Sequence, residues 1–250
     1  MGRAIDLIYD KLTHRNFRRL EERHTVIEWL DPGPGQRILD IGCGDGFHDR
    51  HIASRGAKVV GIDISTRRLA TARRRNQVAG AQFVEMNAEK LDFPDASFEK
   101  VLSLCVIEHF DNDEKVLAEA ARALVPGGRL VFSADSLSNP EITPTEREQH
   151  RRRYVVKNFY EKHTISEKLR RAGFRVDRMH YLLTTPLSLA IVRFTWRLDR
   201  LPRPLRLLRE ATYVFCNSIG RMISNLSERR AGRPESGLTL LVSATKQPHA

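Results

Sequence analysis

Cysteine is scarce in this chain, and the three cysteines, Cys43, Cys105 and Cys216, stand far apart in its 250 residues. Their odd number and the lack of CxxC spacing argue against a disulfide framework and against a structural zinc site, so we predict no bound metal. Long apolar runs are also missing, because no stretch approaches the roughly 20 residues of a membrane span. The opening segment, MGRAIDLIYDKL, lacks the apolar core of a signal peptide. We therefore expect a protein of a reducing compartment, the cytoplasm.

Acidic residues are scarce in one segment only. Residues 147–233 contain 21 Lys and Arg against 7 Asp and Glu, whereas the rest of the chain contains 21 against 24. The net charge of +11 therefore belongs to this segment and predicts a local basic surface with an anionic neighbour. Hydrophobic residues make up 41% and charged residues 29%, which is typical of a globular protein.

Short apolar runs alternate with helical patterns along most of the chain. This alternation predicts parallel βαβ units in a doubly wound sheet, within a single domain over 1–250. A helical segment over 1–30 precedes the sheet, and an insert over 182–236 precedes the last strand. Thr164 and Glu167 have the spacing of a capping box, which predicts a helix start there. Strands are predicted at 37–41, 58–63, 82–86, 98–104, 129–134, 174–181 and 238–245.

The strongest motif is the segment LDIGCGDG at 39–46, which lies between a predicted strand and a predicted helix. Glycines at alternate positions allow a tight turn and let a ligand approach the backbone closely. The helix that follows offers free amide groups at its N-terminus. A turn without any ligand is the alternative, but three alternating glycines after a buried strand favour ligand binding.

Asp63 ends the second predicted strand, 21 positions after Gly42. A carboxylate at this distance can accept hydrogen bonds from both ribose hydroxyls of an adenosine cofactor, although an isolated Asp could also cap the next helix. Nicotinamide and flavin enzymes share this arrangement with the spacing GxGxxG. Here the third glycine comes one residue earlier, at Gly46, which disfavours a dinucleotide.

Four further segments follow in order along the chain: Asn87-Ala-Glu89, the loop FPDASFE at 93–99, the segment SLCVIEHF at 103–110 and the turn LVPGGRL at 124–130. Together with the glycine loop and Asp63, they resemble the class I S-adenosylmethionine-dependent methyltransferases, especially the small-molecule group related to the ubiquinone and menaquinone methyltransferases. The resemblance covers 37–135 and returns weakly at 160–180 and 238–245. Asn87 stands where the family more often has Asp.

The resemblance implies a Rossmann-like α/β fold with seven strands, the last of them antiparallel, and S-adenosyl-L-methionine as the cofactor. A sulfonium cofactor is already a potent methyl donor, so the protein must mainly align the acceptor and exclude water. The residues that the resemblance places at the cofactor are Asp40, Gly42, Cys43, Gly44 and Gly46 in the glycine loop, Asp63 at the ribose, Ile64, Asn87, Ala88 and Glu89 at the adenine, and Leu104 and Cys105 at the methionine part.

A catalytic base is needed only if the acceptor must lose a proton. We predict His109, which follows the fourth strand at the carboxyl edge of the sheet; a structural role shared by relatives with other acceptors is the alternative. His150 and His163 are further candidate bases. His150 opens the run His-Arg-Arg-Arg, so we expect it to be exposed, and His163 directly precedes a predicted helix cap, so we expect it to belong to local structure. Tyr160 could orient an acceptor. Cys105 could in principle be a nucleophile, as in pyrimidine methylation, but Leu104 and Val106 beside it favour a backbone contact with the cofactor.

The insert over 182–236 mixes apolar and basic residues. Pro186 and Arg193 are expected to interrupt its first apolar stretch, and arginines recur at 193, 197, 200, 203, 206 and 209. It could be a lid over the acceptor site, a surface that sits on anionic lipid, or a contact in a homodimer.

Three functions remain open at this point. The first is methylation of a small molecule, such as an apolar, prenylated or lipid-linked acceptor. The second is methylation of a nucleic acid held by the basic segment, which we disfavour because no recognised nucleic-acid-binding module accompanies the charge. The third is a non-catalytic cofactor-binding regulator on the same fold. Neither the acceptor nor the methylated atom follows from the sequence.

Overall fold

The computed structural model describes residues 17–77, 80–198, 212–213, 215–232 and 234–248. The first half of the predicted N-terminal segment therefore lies outside the described residues. The same is true of the arginine-rich run that contains Arg200, Arg203, Arg206 and Arg209.

Seven strands form one sheet in the order β3-β2-β1-β4-β5-β7-β6. The first five strands pair in parallel, whereas β7 runs antiparallel to both β5 and β6. This topology confirms the predicted doubly wound sheet with an antiparallel last strand. The strands are β1 (Arg37–Ile41), β2 (Lys58–Asp63), β3 (Ala81–Glu85), β4 (Phe98–Leu104), β5 (Leu124–Asp135), β6 (Phe174–Leu182) and β7 (Thr239–Lys246).

Helices cover both faces of the sheet, and local capping begins several of them. The Ser65 hydroxyl accepts from Arg68 N at 3.3 Å, and the Asn112 side chain accepts from Lys115 N at 3.1 Å. The helices are α1 (Phe17–Leu30), α2 (Phe47–Ala53), α3 (Thr66–Arg75), α4 (Asp113–Ala123), α5 (Pro144–Tyr154), α6 (Lys162–Arg171), α7 (Pro186–Leu198) and α8 (Arg221–Ala231), with a 3-10 turn at Ile107–His109 and a π-helical turn at Cys216–Gly220.

The sheet carries a hydrophobic core on each face, as a doubly wound fold requires. On one face, Leu117 of α4 and Leu169 of α6 pack with Phe132 of β5. On the other face, Leu30 of α1 and Ile52 of α2 pack with further strand residues. Burial on both faces explains why the parallel strands read as continuous apolar runs in the sequence.

The predicted helix start at Thr164 is wrong. Helix α6 begins at Lys162, and its capping box joins Glu161 and Thr164. The Thr164 hydroxyl accepts from Glu161 N at 3.2 Å, so Thr164 occupies the third helical position. The sequence motif predicted the wrong start because Thr164 was taken as the capping residue. In the structure Glu161 is the capping residue, and Thr164, three residues later, is its partner.

The insert contains two helices that pack on each other, and Pro186 does not interrupt the first. Helix α7 begins at Pro186, a position where proline's missing N–H costs nothing, and it continues past Arg193 to Leu198. The Glu228 carboxylate on α8 accepts from Thr184 N at 2.9 Å and Thr185 N at 3.1 Å, which fastens α8 to the start of α7. Among the described helices, none combines the length and the apolar character that crossing a bilayer would require.

Candidate active site

A cleft of ≈ 780 Å³ opens where β1, β2, β4 and β5 reach their carboxyl ends. Doubly wound sheets bind ligands at this edge, and the volume lies within the range of small-molecule sites. Most of the predicted cofactor residues come together here. Those that line the cleft are Asp40, Gly42, Cys43, Gly44, Asp63, Ile64, Ala88, Leu104 and Cys105, and the predicted catalytic residue His109 lines it as well.

The glycine loop is tied to β2 and presents open backbone to the cleft. Gly42 N and Cys43 N both donate to the Ile62 carbonyl, at 2.8 and 2.9 Å. Gly44 has φ +58, and a Cβ atom built there would meet nothing within 4 Å. The main chain at Gly44 therefore borders free space into which a ligand can approach.

Gly46 has a packing role that the motif did not indicate. It precedes α2 with φ +72, and a Cβ atom there would lie 2.4 Å from Asn76 Nδ2 and 2.9 Å from Ala72 Cβ. The glycine lets α3 pack closely behind the loop, and it is absent from the cleft wall. The sequence could not separate these roles, because both need a residue without a side chain.

The Asp63 carboxylate is held rigidly in the cleft wall. Its Oδ2 accepts from Gly44 N at 3.0 Å and its Oδ1 accepts from Ser65 N at 2.8 Å. Each carboxylate oxygen can accept a further hydrogen bond, so capacity remains for a pair of ligand hydroxyls. Ile64 follows with 74% of its surface exposed, which provides an apolar wall beside that carboxylate.

The segment Asn87-Ala-Glu89 contributes less to the cleft than the resemblance implied. The Asn87 side chain accepts from Glu89 N at 2.9 Å, which closes a local turn after β3. Asn87 is exposed and Glu89 is half-buried, and neither lines the cleft. Ala88 is buried and lines it together with Met86.

Sequence reasoning missed a buried carboxyl pair behind the glycine loop. Asp40 in the cleft wall is 2% exposed, and Asp49 on α2 is completely buried beside it. Burial, with the neighbouring Asp49 carboxyl, raises the pKa of Asp40 well above its ordinary value. Burial also raises the pKa of Asp49 to about 7. Asp49 shares the inward face of α2 with Ile52 and Ala53, and an acid on an apolar face is the signal that could have revealed it.

Cys105 sits at a strained turn directly after β4. Its φ is +48, and its backbone N donates to the Ser133 carbonyl at 3.0 Å. Its thiol lies 3.2 Å from Oε2 of Glu22 on α1. Side-chain oxygen and sulfur atoms of Cys105, Glu108 and Asp135 lie within 4.8 Å of one another at this end of the sheet.

The histidines at this edge are arranged differently from the prediction. His109 is exposed, and its Nδ1 lies 3.3 Å from the Val155 carbonyl. The expectation that His150 is exposed is wrong, because His150 is 6% exposed and its Nε2 lies 2.5 Å from Asp135 Oδ2. Both members of this pair line the cleft. The run of arginines after His150 hid the fact that one residue of this polar helix points inward.

His163 and Tyr160 lie outside the cleft wall. His163 is largely exposed and lies within α6, one residue after the start of that helix. Tyr160 is buried, and its hydroxyl contacts the Asp113 carboxylate and donates to the Ile107 carbonyl at 3.3 Å. Burial raises the pKa of the Tyr160 hydroxyl. The structure therefore gives Tyr160 a role in joining α4 to the 3-10 turn.

Comparison with known proteins identifies the segment that builds most of this cleft. Residues 39–132 match the model of a family described as "Methyltransferase domain". Demethylmenaquinone methyltransferase from Tropheryma whipplei is 38% identical over 122 residues, which are 49% of this chain and 51% of the relative. Ubiquinone biosynthesis O-methyltransferase from Paracidovorax citrulli is 34% identical over 139 residues, which are 50% of this chain and 58% of the relative. The chain thus spans little more than half the length of the curated relatives it matches.

A solved structure extends the likeness over nearly the whole chain at the level of the fold. It is an S-adenosylmethionine-dependent methyltransferase from Mesorhizobium loti, with a TM-score of 0.63 and 23% identity over 89% of this chain and 96% of that one. The family match and the shared topology confirm the resemblance that the motifs indicated. Over residues 39–132, this chain is therefore similar to the methyltransferase domain family.

Proposed function

We propose that this chain binds S-adenosylmethionine and transfers its methyl group to a small molecule. The observation that carries the proposal is the Asp63 carboxylate, fixed by Gly44 N and Ser65 N at the rim of an open glycine loop. When bound, the cofactor supplies an activated methyl group on a positively charged sulfur. The two curated relatives, named for quinone biosynthesis, support a small-molecule acceptor.

Different residues of the cleft would hold the cofactor and the acceptor. Asp63 would receive the ribose hydroxyls, with Ile64 and Ala88 against the adenine and Gly44 along the backbone of the loop. Asp40, Leu104 and Cys105 would face the methionine part. We propose Gly42 and Cys43 as loop contacts, and Asn87, Glu89 and Gly46 as residues that shape the site from behind its wall. His109 stays a proposed contact of the acceptor.

Calorimetry with S-adenosylmethionine, S-adenosylhomocysteine and NAD tests the cofactor. We expect the first two to bind and NAD to leave no signal. Incubation of the protein with methyl-labelled cofactor and a cell extract of metabolites and lipids then tests turnover. Tight binding of NAD alone contradicts the proposal, and cofactor binding without label transfer favours the non-catalytic alternative.

We also propose that the insert brings the site to a lipid surface, while Trp196 at the cleft serves as part of a lid. Helix α7 exposes Leu187 and Phe194, and the π-helical turn with α8 exposes Ile219, Met222 and Leu226. Arg197, Arg229 and Arg230 lie in the last turns of these helices, and mixed apolar and arginine surfaces suit an anionic bilayer.

Vesicle sedimentation tests the lipid surface. Met222→Asp with Leu226→Asp should abolish binding to anionic vesicles at low salt, because carboxylates would enter the apolar layer. Gln82 is exposed on β3, away from the insert, so Gln82→Asp adds a negative charge there and should leave vesicle binding intact. Failure of the unaltered protein to bind vesicles would leave the lid and homodimer interpretations of the insert.

A further inference from the structure

The cleft extends past the predicted cofactor residues into a region with aromatic walls. Phe110, Tyr154 and Trp196 line this part together with Val155. The His150 ring packs 4.6 Å from Tyr154 and 5.6 Å from Trp196, measured between ring centroids. Such surroundings fit a flat or apolar acceptor and keep water away from the His150 imidazole.

Asp135 and His150 bring proton-transfer groups into this region. Asp135 is the last residue of β5, so the sheet fixes its carboxylate at the carboxyl edge. It is 4% exposed, and its Oδ2 lies 2.5 Å from Nε2 of His150, which α5 delivers from the other side. A buried imidazole held by a carboxylate has its ring fixed in one orientation, which is the geometry of a general base.

We infer that Asp135 and His150 form the catalytic pair that accepts the proton of a hydroxyl group on the methyl acceptor. The inference rests on the proposed function and adds to it the chemical class of the acceptor, a hydroxylated ring or similarly apolar alcohol. It also replaces His109 as the base, because His109 is exposed and directs Nδ1 towards a backbone carbonyl.

The step balances in atoms and charge. The acceptor oxygen forms a bond to the methyl carbon while the bond from that carbon to sulfur breaks, and its electron pair stays on sulfur. The hydroxyl proton passes to the pair, whose net charge rises from −1 to 0. No oxidant or further reactant is needed.

The neighbouring acids favour a hydroxyl over an amine. Glu108 and Cys105 place donor atoms within 4.8 Å of the Asp135 carboxylate, and Arg153 lines the same cleft. An amine acceptor beside these carboxylates would be held as an ammonium ion, which has no lone pair for the methyl group. A hydroxyl group in the same place is activated when its proton leaves.

The first test measures binding, so it does not depend on turnover. The probe is a catechol with a ten-carbon prenyl tail, added with S-adenosylhomocysteine to protein carrying ¹⁵N-labelled histidine. The matched control probe has both hydroxyls replaced by methoxy groups. We expect the hydroxylated probe alone to shift the His150 ring signals, which are assigned by their absence in His150→Gln.

The second test measures the rate of label transfer to the hydroxylated probe against pH. His150→Gln and Asp135→Asn should each lower the rate by about 100-fold or more at pH 7, the scale of losing a general base. The rate of the variants should then rise about tenfold for each pH unit towards pH 9, because the acceptor ionises without help. His163→Gln, on the exposed side of α6, should behave like the unaltered protein. Affinity for S-adenosylhomocysteine checks that each variant is folded.

The proposed function, the hydroxyl acceptor and the catalytic pair are each contradicted by a different result. Absence of any binding of S-adenosylmethionine or its product contradicts the proposed function itself. Cofactor binding with no response of His150 to the hydroxylated probe overturns the hydroxyl acceptor. An unchanged rate and pH profile in His150→Gln overturns the catalytic pair.

Discussion

Replacing Asp49 by Asn should make the protein more stable at alkaline pH. Asp49 is fully buried beside the Asp40 carboxyl group, and the two side chains are within hydrogen-bonding reach of each other. Two carboxylates in contact cannot both ionise at low cost, so the folded protein keeps a proton there. The Asn side chain has the same shape, carries no charge, and can donate to Asp40.

The size of the effect follows from proton linkage. Burial raises the pKa of Asp49 from an ordinary value of 3.8 to about 7. Between these values the folded protein holds a proton that the unfolded chain has lost, so the free energy of unfolding falls as the pH rises. The loss is about 1.4 kcal/mol for each pH unit, or about 4 kcal/mol over the whole interval, as an upper limit for a coupled pair.

Urea denaturation at pH 5 and pH 8 measures this difference. Asp49→Asn should gain about 1.6 kcal/mol at pH 5 and up to about 4 kcal/mol at pH 8, relative to the unaltered protein at the same pH. Asp92→Asn, at an exposed position, should show no such pH-dependent gain. A stability difference of equal size at both pH values would refute the shared proton.

Two further predictions concern the cofactor loop. Asp63→Ala should weaken S-adenosylmethionine binding by roughly 1.5–3 kcal/mol, about 10- to 150-fold, because charge-assisted hydrogen bonds are lost; calorimetry measures this, and an unchanged affinity would make Asp63 only a cap and a loop anchor. Gly46→Ala should destabilise the fold by roughly 2–5 kcal/mol, since its methyl group would clash with Asn76 and Ala72 at a positive φ. The methyl group of Gly44→Ala would point into open space, so this change should cost only about 1–2 kcal/mol of stability and should weaken cofactor binding. Equal melting temperatures of the two glycine variants would contradict the different roles assigned to them.

Local patterns were sufficient for the positions of the strands along the chain and for much of the cofactor half of the cleft. A short apolar run, a glycine loop and an acid at the end of the next strand each depend on neighbours close in the chain. Right-handed βαβ connections then place these strand ends side by side. For this reason Gly44 and Asp63, which were both predicted to contact the cofactor, lie side by side, with Gly44 N 3.0 Å from Asp63 Oδ2.

Roles that depend on residues far apart in the chain needed the tertiary structure. In the sequence, Gly46 cannot be distinguished from Gly42 and Gly44, and only the structure shows α3 packing on it. Asp49 reads as a surface acid in the sequence, but α2 directs it inward. His150 sits in a run of arginines, and only the docking of α5 on the end of β5 brings it to Asp135. The sequence by itself determined the sheet and the cofactor loop, because these arise from local periodicity and turn geometry. Tertiary packing alone decided which polar side chains are buried together, because burial depends on contacts that no local pattern encodes.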